Sequence, residues 1–133
     1  MRRELVISSE LVNIEKVRLF LEQIFLDARL NRRSFNRVYL GLSEAVNNAI
    51  IHGNNLNSEK QVYILIYYFE GILMIEVKDE GEGFPFDYIE DPTIDKNLKK
   101  ESGRGIFLIR NIADNIQYFD GGRSVAIKYN IVR

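Results

Sequence analysis

A carboxylate and an amide lie four residues apart, at positions 44 and 48 of this 133-residue chain. If the stretch is helical, Glu44 and Asn48 share one face. An acid and an amide on a partly buried helix are costly unless something binds them. Mg²⁺ accepts an amide oxygen and a water held by an acid, together with phosphate oxygens. The pair therefore indicates a magnesium-binding helix face, and an exposed face with an ordinary i,i+4 pair is the equally weighted alternative.

A second candidate is the acidic, glycine-containing turn at residues 79–83, which follows a strand-like segment. The ionised carboxylate of Asp79 only accepts hydrogen bonds, so it suits the exocyclic amine of adenine. Gly81 and Gly83 allow the backbone to pass close to a flat ring. A simple strand-terminating turn is the alternative, and for this motif taken alone it is the commoner explanation.

A third candidate is the start of a predicted helix at residue 103. Gly103 and Gly105 expose backbone amides at the helix N-terminus, where the dipole favours an anion. Arg104 between them adds a donor fork that suits phosphate oxygens. The phosphate-binding Walker A pattern is absent from the sequence. A flexible helix start is the alternative.

Two helices are predicted before residue 54. Asn13 is expected to cap the first, whose apolar residues recur at helical spacing to Ala28. Ser34 is expected to cap the second, which runs to about His52 and is stopped by Gly53. The predicted buried stripe of the second helix consists of Val38, Leu42, Ala45, Val46, Ala49 and Ile50. Glu44 and Asn48 are expected on another face.

Strand patterns dominate the rest of the chain. A short strand is predicted at residues 5–7, and residues 61–68 and 72–78 read as an antiparallel hairpin joined at Glu70 and Gly71. Both faces of strand 61–68 are largely apolar, which predicts an interior position in the sheet. Residues 84–102 are longer than an ordinary loop and predict a lid or a disordered segment. A helix over 103–115 and a closing hairpin of 116–119 with 125–132 complete the chain.

The element order predicts an α+β two-layer sandwich. One mixed, mostly antiparallel sheet is expected to carry about three helices on one face. The length suits a single domain over residues 1–133.

Composition narrows the class of protein. The net charge of −1 gives no global basic field, which argues against direct nucleic-acid binding. The chain has no cysteine, which excludes thiolate metal sites and thiol nucleophiles. The apolar run near the N-terminus is too short for a signal peptide or a membrane span. We therefore expect a cytoplasmic protein with no membrane partner.

The three motifs, taken together and in this order, resemble the Bergerat-type ATP-binding fold of gyrase and the histidine kinases, the GHKL superfamily. The matching pieces are Glu44-x-x-x-Asn48, Asp79-x-Gly81-x-Gly83 and Gly103-x-Gly105. The runs at 42–49 and 103–110 are similar to those of the small anti-sigma-factor serine kinases. The resemblance covers nearly the whole chain, with its strong motifs in the middle.

The resemblance implies ATP and Mg²⁺ as cofactors and a role for each matching residue. Glu44 would be the general base toward a serine hydroxyl, Asn48 would bind Mg²⁺, and Asp79 would contact the adenine amine. The other nucleotide-binding residues would be Gly81, Gly83, Gly103, Arg104, Gly105 and Ser124.

Two positions depart from the family pattern. Ser124 stands where members often carry threonine. Glu101 stands where some members carry a basic residue, so Arg104 would have to neutralise the γ-phosphate charge. Phosphoryl transfer is therefore a weaker expectation than ATP binding.

The resemblance also implies partners. It suggests an anti-sigma factor that forms a homodimer, binds a sigma factor and phosphorylates an anti-sigma factor antagonist on serine. The alternative is an ATP-gated switch that binds protein partners with little or no kinase activity. An ATPase fragment of a larger machine is the least favoured interpretation.

Overall fold

The computed structural model describes residues 1–82 and 113–131. Within them five strands and two α-helices are defined. Their bounds are β1 Arg2–Ser8, α1 Ile14–Asp27, α2 Phe35–Asn48, β2 Gln61–Phe69, β3 Ile72–Lys78, β4 Asn115–Phe119 and β5 Ser124–Asn130. Short 3₁₀ turns precede α1, α2 and β5, and one π-helical turn, Ala49–Gly53, follows α2.

The strands form one sheet in the order β1-β2-β3-β5-β4, and every described pairing is antiparallel. The predicted hairpin is confirmed, with Glu70 and Gly71 at φ 47° and 83° in its turn. The interior position predicted for β2 is also confirmed, because β1 and β3 flank it. The α+β class with an antiparallel sheet is confirmed, and the described strands include no parallel pair.

The core lies between the helices and one face of the sheet. In β2 the residues Val62, Ile64, Ile66 and Tyr68 are buried and alternate with less buried neighbours. Their period of two directs one set of side chains toward the helices. The predicted stripe of α2 is buried throughout, with no member more than 5% exposed. No helix in the described part of the chain is long and apolar enough to span a bilayer.

Asn13 and Ser34 occupy the predicted N-cap positions of α1 and α2, but neither side chain makes a capping hydrogen bond. Asn13 precedes α1, but its Nδ2 donates to Ser8 O and Ser8 Oγ at 3.0 and 2.9 Å. Ser34 precedes α2 without a capping hydrogen bond. Asn31 Oδ1 instead accepts from Arg33 N at 2.9 Å, at the start of the preceding 3₁₀ turn. Each helix is preceded by a 3₁₀ turn, and only the turn before α2 has a side-chain cap, which Asn31 supplies.

The second helix also ends differently from the prediction. Regular α-helix stops at Asn48, and the π-helical turn carries the chain to Gly53, with Asn54 N donating to Ala49 O at 2.8 Å. Asn115, predicted as the last residue of a third helix, begins strand β4 instead. The rest of that predicted helix lies outside the described residues.

Candidate functional site

The polar face of α2 forms one side of the candidate site. Glu44 and Asn48 are half-buried and lie one helical turn apart, as predicted. The Asn48 Nδ2 atom is buried and has no hydrogen-bond partner among the described residues. A buried amide without a partner is expensive. Rotation of the amide would exchange its nitrogen and oxygen, so this position can offer either a donor or an acceptor to a ligand.

The turn after β3 forms the other side. Asp79 is only 5% exposed, and its Oδ1 accepts from Gly81 N at 2.8 Å. Its own backbone N donates to Arg123 O at 2.9 Å. No described residue donates a hydrogen bond to Oδ2, so this carboxylate has an acceptor available for a ligand.

Burial raises the pKa of the Asp79 carboxyl above its ordinary value. The Gly81 N–H and the Arg123 charge oppose that rise without cancelling it. A carboxylate held in this way is destabilised when it is charged, because it has lost water and gained only one strong donor. An amine hydrogen that replaces the lost water would favour its ionised form.

The two sides of the site touch through two glycines. A Cβ atom on Gly53 would overlap the Asp79 carboxylate, and a Cβ on Gly81 would overlap the Gly53 carbonyl. The end of the π-helical turn and the Asp79 turn are therefore in backbone contact. Gly81 was predicted to allow close approach of a ring, and the approach that the structure describes is that of the π-helical turn at Gly53.

Ser124 lies beside the same turn. It is buried, begins β5 and pairs in register with Lys78, the residue before Asp79. The structure thus brings Asp79, Gly81 and Ser124 together at one end of the β3–β5 pair. Gly53 joins this group to the end of the segment that holds Glu44 and Asn48.

Two residues of the site were missed from the sequence. Arg123 Nε donates to Gly81 O at 2.6 Å, and Asn54 Oδ1 accepts from Glu80 N at 2.8 Å. The only feature in the sequence that could have indicated Asn54 is its position directly after Gly53, which ends the helical segment. A polar residue at that position is typical of an ordinary loop. The structure shows Asn54 to be completely buried.

The remaining predicted site residues lie outside the described residues. These are Gly83, Gly103, Arg104 and Gly105, together with the predicted lid at 84–102.

The described donor set suits a metal ion that is shared with a ligand. Across residues 1–82 and 113–131, no three His, Cys, Asp or Glu side chains come together as a metal site. An ion bound by Asn48 at the α2 face would therefore need phosphate oxygens and water as its other ligands. Mg²⁺ is bound in this way when it bridges protein side chains and phosphates.

Comparison with known proteins places the chain among nucleotide-binding domains. Residues 7–129 match the family described as Histidine kinase-like ATPase domain. The chain is similar to the anti-sigma F factors of Bacillus thuringiensis (strain Al Hakam), Bacillus mycoides (strain KBAB4) and Bacillus cereus (strain AH187). Each is 37% identical over 78 residues, which cover 57% of this chain and 53% of the relative. The chain thus spans about half the length of the curated relatives it matches.

Proposed function

The chain belongs to the family of histidine kinase-like ATPase domains, and from this premise we propose that it is an anti-sigma factor with ATP- and Mg²⁺-dependent serine kinase activity. The observation that carries the proposal is the backbone contact between the Asp79 turn and the end of the segment that holds Glu44 and Asn48. This contact brings the turn proposed to bind adenine against the end of the helical segment proposed to bind Mg²⁺.

Adenine recognition is assigned to the Asp79 turn. The exocyclic amine would donate to Asp79 Oδ2, which receives no hydrogen bond from a described residue. Gly81 shapes the turn, and Ser124 at the adjacent strand offers a hydroxyl near the same edge. Hydrogen bonds to a buried carboxylate contribute more than neutral ones, which suits a residue that selects the base.

Metal and phosphate binding are assigned to the α2 face and the predicted third helix. Asn48 would contribute its side-chain oxygen to Mg²⁺, which supplies charge neutralisation at the phosphates when bound. Gly103, Arg104, Gly105 and Gly83 are proposed to complete the nucleotide site. Glu44 is proposed as the base that accepts the proton of the attacking serine hydroxyl.

The partners are proposed from the printed names of the relatives and from the resemblance to the anti-sigma-factor serine kinases. A sigma factor is the partner that the name anti-sigma F factor indicates. An antagonist protein is proposed to be the serine substrate, and the protein is proposed to act as a cytoplasmic homodimer. Sedimentation equilibrium of the purified protein tests the dimer, and a single monomeric species at micromolar concentration would contradict it.

The kinase assignment is tested by mixing the protein with Mg²⁺, labelled ATP and a candidate antagonist. We expect label on one antagonist serine. Glu44→Gln should leave the ATP dissociation constant within about twofold and lower the transfer rate by roughly 10²–10⁴-fold, because the base is lost while the binding groups remain. Transfer by Glu44→Gln at the wild-type rate would show that Glu44 is not the base.

An ATP-gated switch is the second candidate. It is favoured by Glu101, which stands where some kinases of this type carry a cation. In the same experiment it predicts ATP binding and partner binding with no label on any serine.

A further inference from the structure

We propose that Asn54 is a positioning residue for base selection, which holds the Asp79 turn against the end of the π-helical turn. The inference rests on the proposed ATP site and assigns to it a residue that contacts no substrate. It is carried by a closed set of hydrogen bonds around the turn and by the burial of its central amide.

The hydrogen bonds form a ring of three residues. Asn54 Nδ2 donates to Gln61 O at 3.0 Å. Gln61 N donates to Glu80 Oε1 at 2.6 Å. Glu80 N donates to Asn54 Oδ1 at 2.8 Å, which closes the ring. The ring connects the end of the π-helical turn, the first residue of β2 and the turn that carries Asp79.

Every polar group of Asn54 has a partner. The second hydrogen of Nδ2 is donated to Ser9 Oγ, with an N···O distance of 2.7 Å. The backbone N donates to Ala49 O, and the backbone O accepts from Asn57 N at 3.0 Å. The side chain is 0% exposed. Asn48 differs, since its buried Nδ2 has no partner among the residues described. This difference suits a ligand-binding role for Asn48 and a structural, positioning role for Asn54.

The Asp79 turn is held from both sides. Asn54 binds the peptide N–H of Glu80, and Arg123 binds the carbonyl of Gly81. The N–H groups of Asp79 and Gly81 are bound by Arg123 O and by Asp79 Oδ1. A turn with its amides bound in this way is pre-organised, so less free energy is lost in ordering it around a ligand.

Asn54 positions the Asp79 carboxylate through the backbone of Glu80. Asp79 immediately precedes Glu80, and Gly81 immediately follows it. The N–H of Glu80 donates to Asn54 Oδ1, and the next N–H, that of Gly81, donates to Asp79 Oδ1. Loss of the Asn54 acceptor would leave the Glu80 N–H without its partner, and the turn would rotate to find another. Such a rotation moves Oδ2 relative to the ring that it recognises.

The test compares two nucleotides that differ at the selecting atom. Inosine triphosphate carries a carbonyl oxygen where ATP carries the exocyclic amine, so at that position it offers the Asp79 carboxylate an acceptor in place of a donor. We expect wild-type protein to prefer ATP by about tenfold or more, as measured by calorimetric dissociation constants. Asn54→Ala should reduce this preference to within about threefold of unity, close to the value for Asp79→Asn.

Ser9→Ala is the matched control. It removes a buried hydrogen bond from the other Nδ2 hydrogen of the same asparagine and leaves the Glu80 acceptor in place. The variant should lose stability and keep the preference for ATP within about twofold of wild type.

Each outcome supports or contradicts the inference. If Asn54→Ala folds and keeps the wild-type preference for ATP, Asn54 does not position Asp79. A reduced preference in Ser9→Ala equal to that of Asn54→Ala would also overturn it, because general destabilisation would then suffice. Asn54→Ser is measured in parallel in case the alanine variant does not fold. Failure of wild-type protein to bind ATP would instead reject the proposed function itself.

Discussion

Asp79 is the residue at which stability and binding are expected to oppose each other. Burial raises the pKa of its carboxyl above 3.8 in the folded state. The folded state therefore binds this proton more tightly than the unfolded state does. The resulting stabilisation of the folded state is complete at pH values below the pKa that Asp79 has in the unfolded chain. It is lost as pH rises through the higher pKa that Asp79 has in the folded protein. At neutral pH the charged carboxylate opposes folding until a ligand donates a hydrogen bond to it.

Asp79→Asn removes this titration and the acceptor at the same time. Without nucleotide, its free energy of unfolding at neutral pH should equal or exceed that of wild type, because no charge is buried. Its ATP dissociation constant should rise by about 10–100-fold, the range for loss of a hydrogen bond to a charged group. Urea denaturation and calorimetry measure the two quantities.

The pH dependence supplies the check on that prediction. The difference in unfolding free energy between Asp79→Asn and wild type should move in favour of the variant as pH rises from about 4 toward neutrality. A difference that stays constant over this range would show that the buried carboxyl does not titrate with a raised pKa.

At the scale of elements, the π-helical turn and the Asp79 turn meet at two glycines whose surroundings differ. A Cβ on Gly53 would meet the Asp79 side chain, whereas a Cβ on Gly81 would meet the backbone of Gly53. A side chain can move away at modest cost, but two packed backbones must separate. Alanine at the two positions should therefore have different consequences.

Gly53→Ala should mainly impair binding, and Gly81→Ala should mainly impair folding. We expect Gly53→Ala to raise the ATP dissociation constant about tenfold by displacing the carboxylate. Gly81→Ala should lower the free energy of unfolding by about 1–3 kcal/mol, the usual cost of overpacking. Thermal denaturation and calorimetry on both variants measure this difference.

Gly71→Ala is the control for glycine replacement in general. Gly71 lies in the β2–β3 turn at φ 83°, and a Cβ added there would meet Ile131 O at an ordinary contact distance of 3.6 Å. The substitution should cost about 1 kcal/mol from backbone strain and leave ATP affinity unchanged. Equal loss of affinity in Gly71→Ala and Gly53→Ala would contradict a specific role for the Gly53 contact.

The elements themselves were largely predictable, and their junctions were not. The alternation of side chains along the chain predicted β2, β3 and their hairpin. In a strand every second side chain faces the same way, so only one register of the strand buries the apolar set against the helices. The α2 stripe was equally clear. The π-helical turn was missed because its sequence continues the helical pattern. The turn ends at Gly53, whose contact with Asp79 only the tertiary structure brings about.

At the scale of the molecule, the motif residues could be predicted and their supports could not. Glu44, Asn48 and Asp79 follow local rules of spacing and residue type. Asn54 and Arg123 bond residues 26 and 42 positions away, and no local pattern marks such pairs. Long-range hydrogen bonds of buried polar groups depend on how the layers pack. They are therefore the part of this site that sequence reasoning could not supply.

The packing of the helices on the sheet leaves the hydroxyl of Tyr129 buried without a hydrogen-bond partner among the described residues. Tyr129 on β5 is 0% exposed, and its hydroxyl has no hydrogen bond within the ranges described. The Arg37 guanidinium of α2 lies 5.4 Å from the centre of its ring, so the ring contributes to the contact between helix and sheet. The aromatic ring therefore stabilises the interface, and the hydroxyl opposes its burial.

Tyr129→Phe should consequently raise the free energy of unfolding by about 1 kcal/mol, because it removes a buried unpaired hydroxyl and keeps the ring. Tyr68→Phe is the matched control. Tyr68 is also buried, but its hydroxyl donates to Ile131 O at 3.4 Å, so that variant should lose about 0.5–1.5 kcal/mol. Urea denaturation of wild type and the two variants measures these changes in the free energy of unfolding, which should have opposite signs. A loss of stability in Tyr129→Phe as large as that in Tyr68→Phe would show that the Tyr129 hydroxyl is hydrogen-bonded in the folded protein.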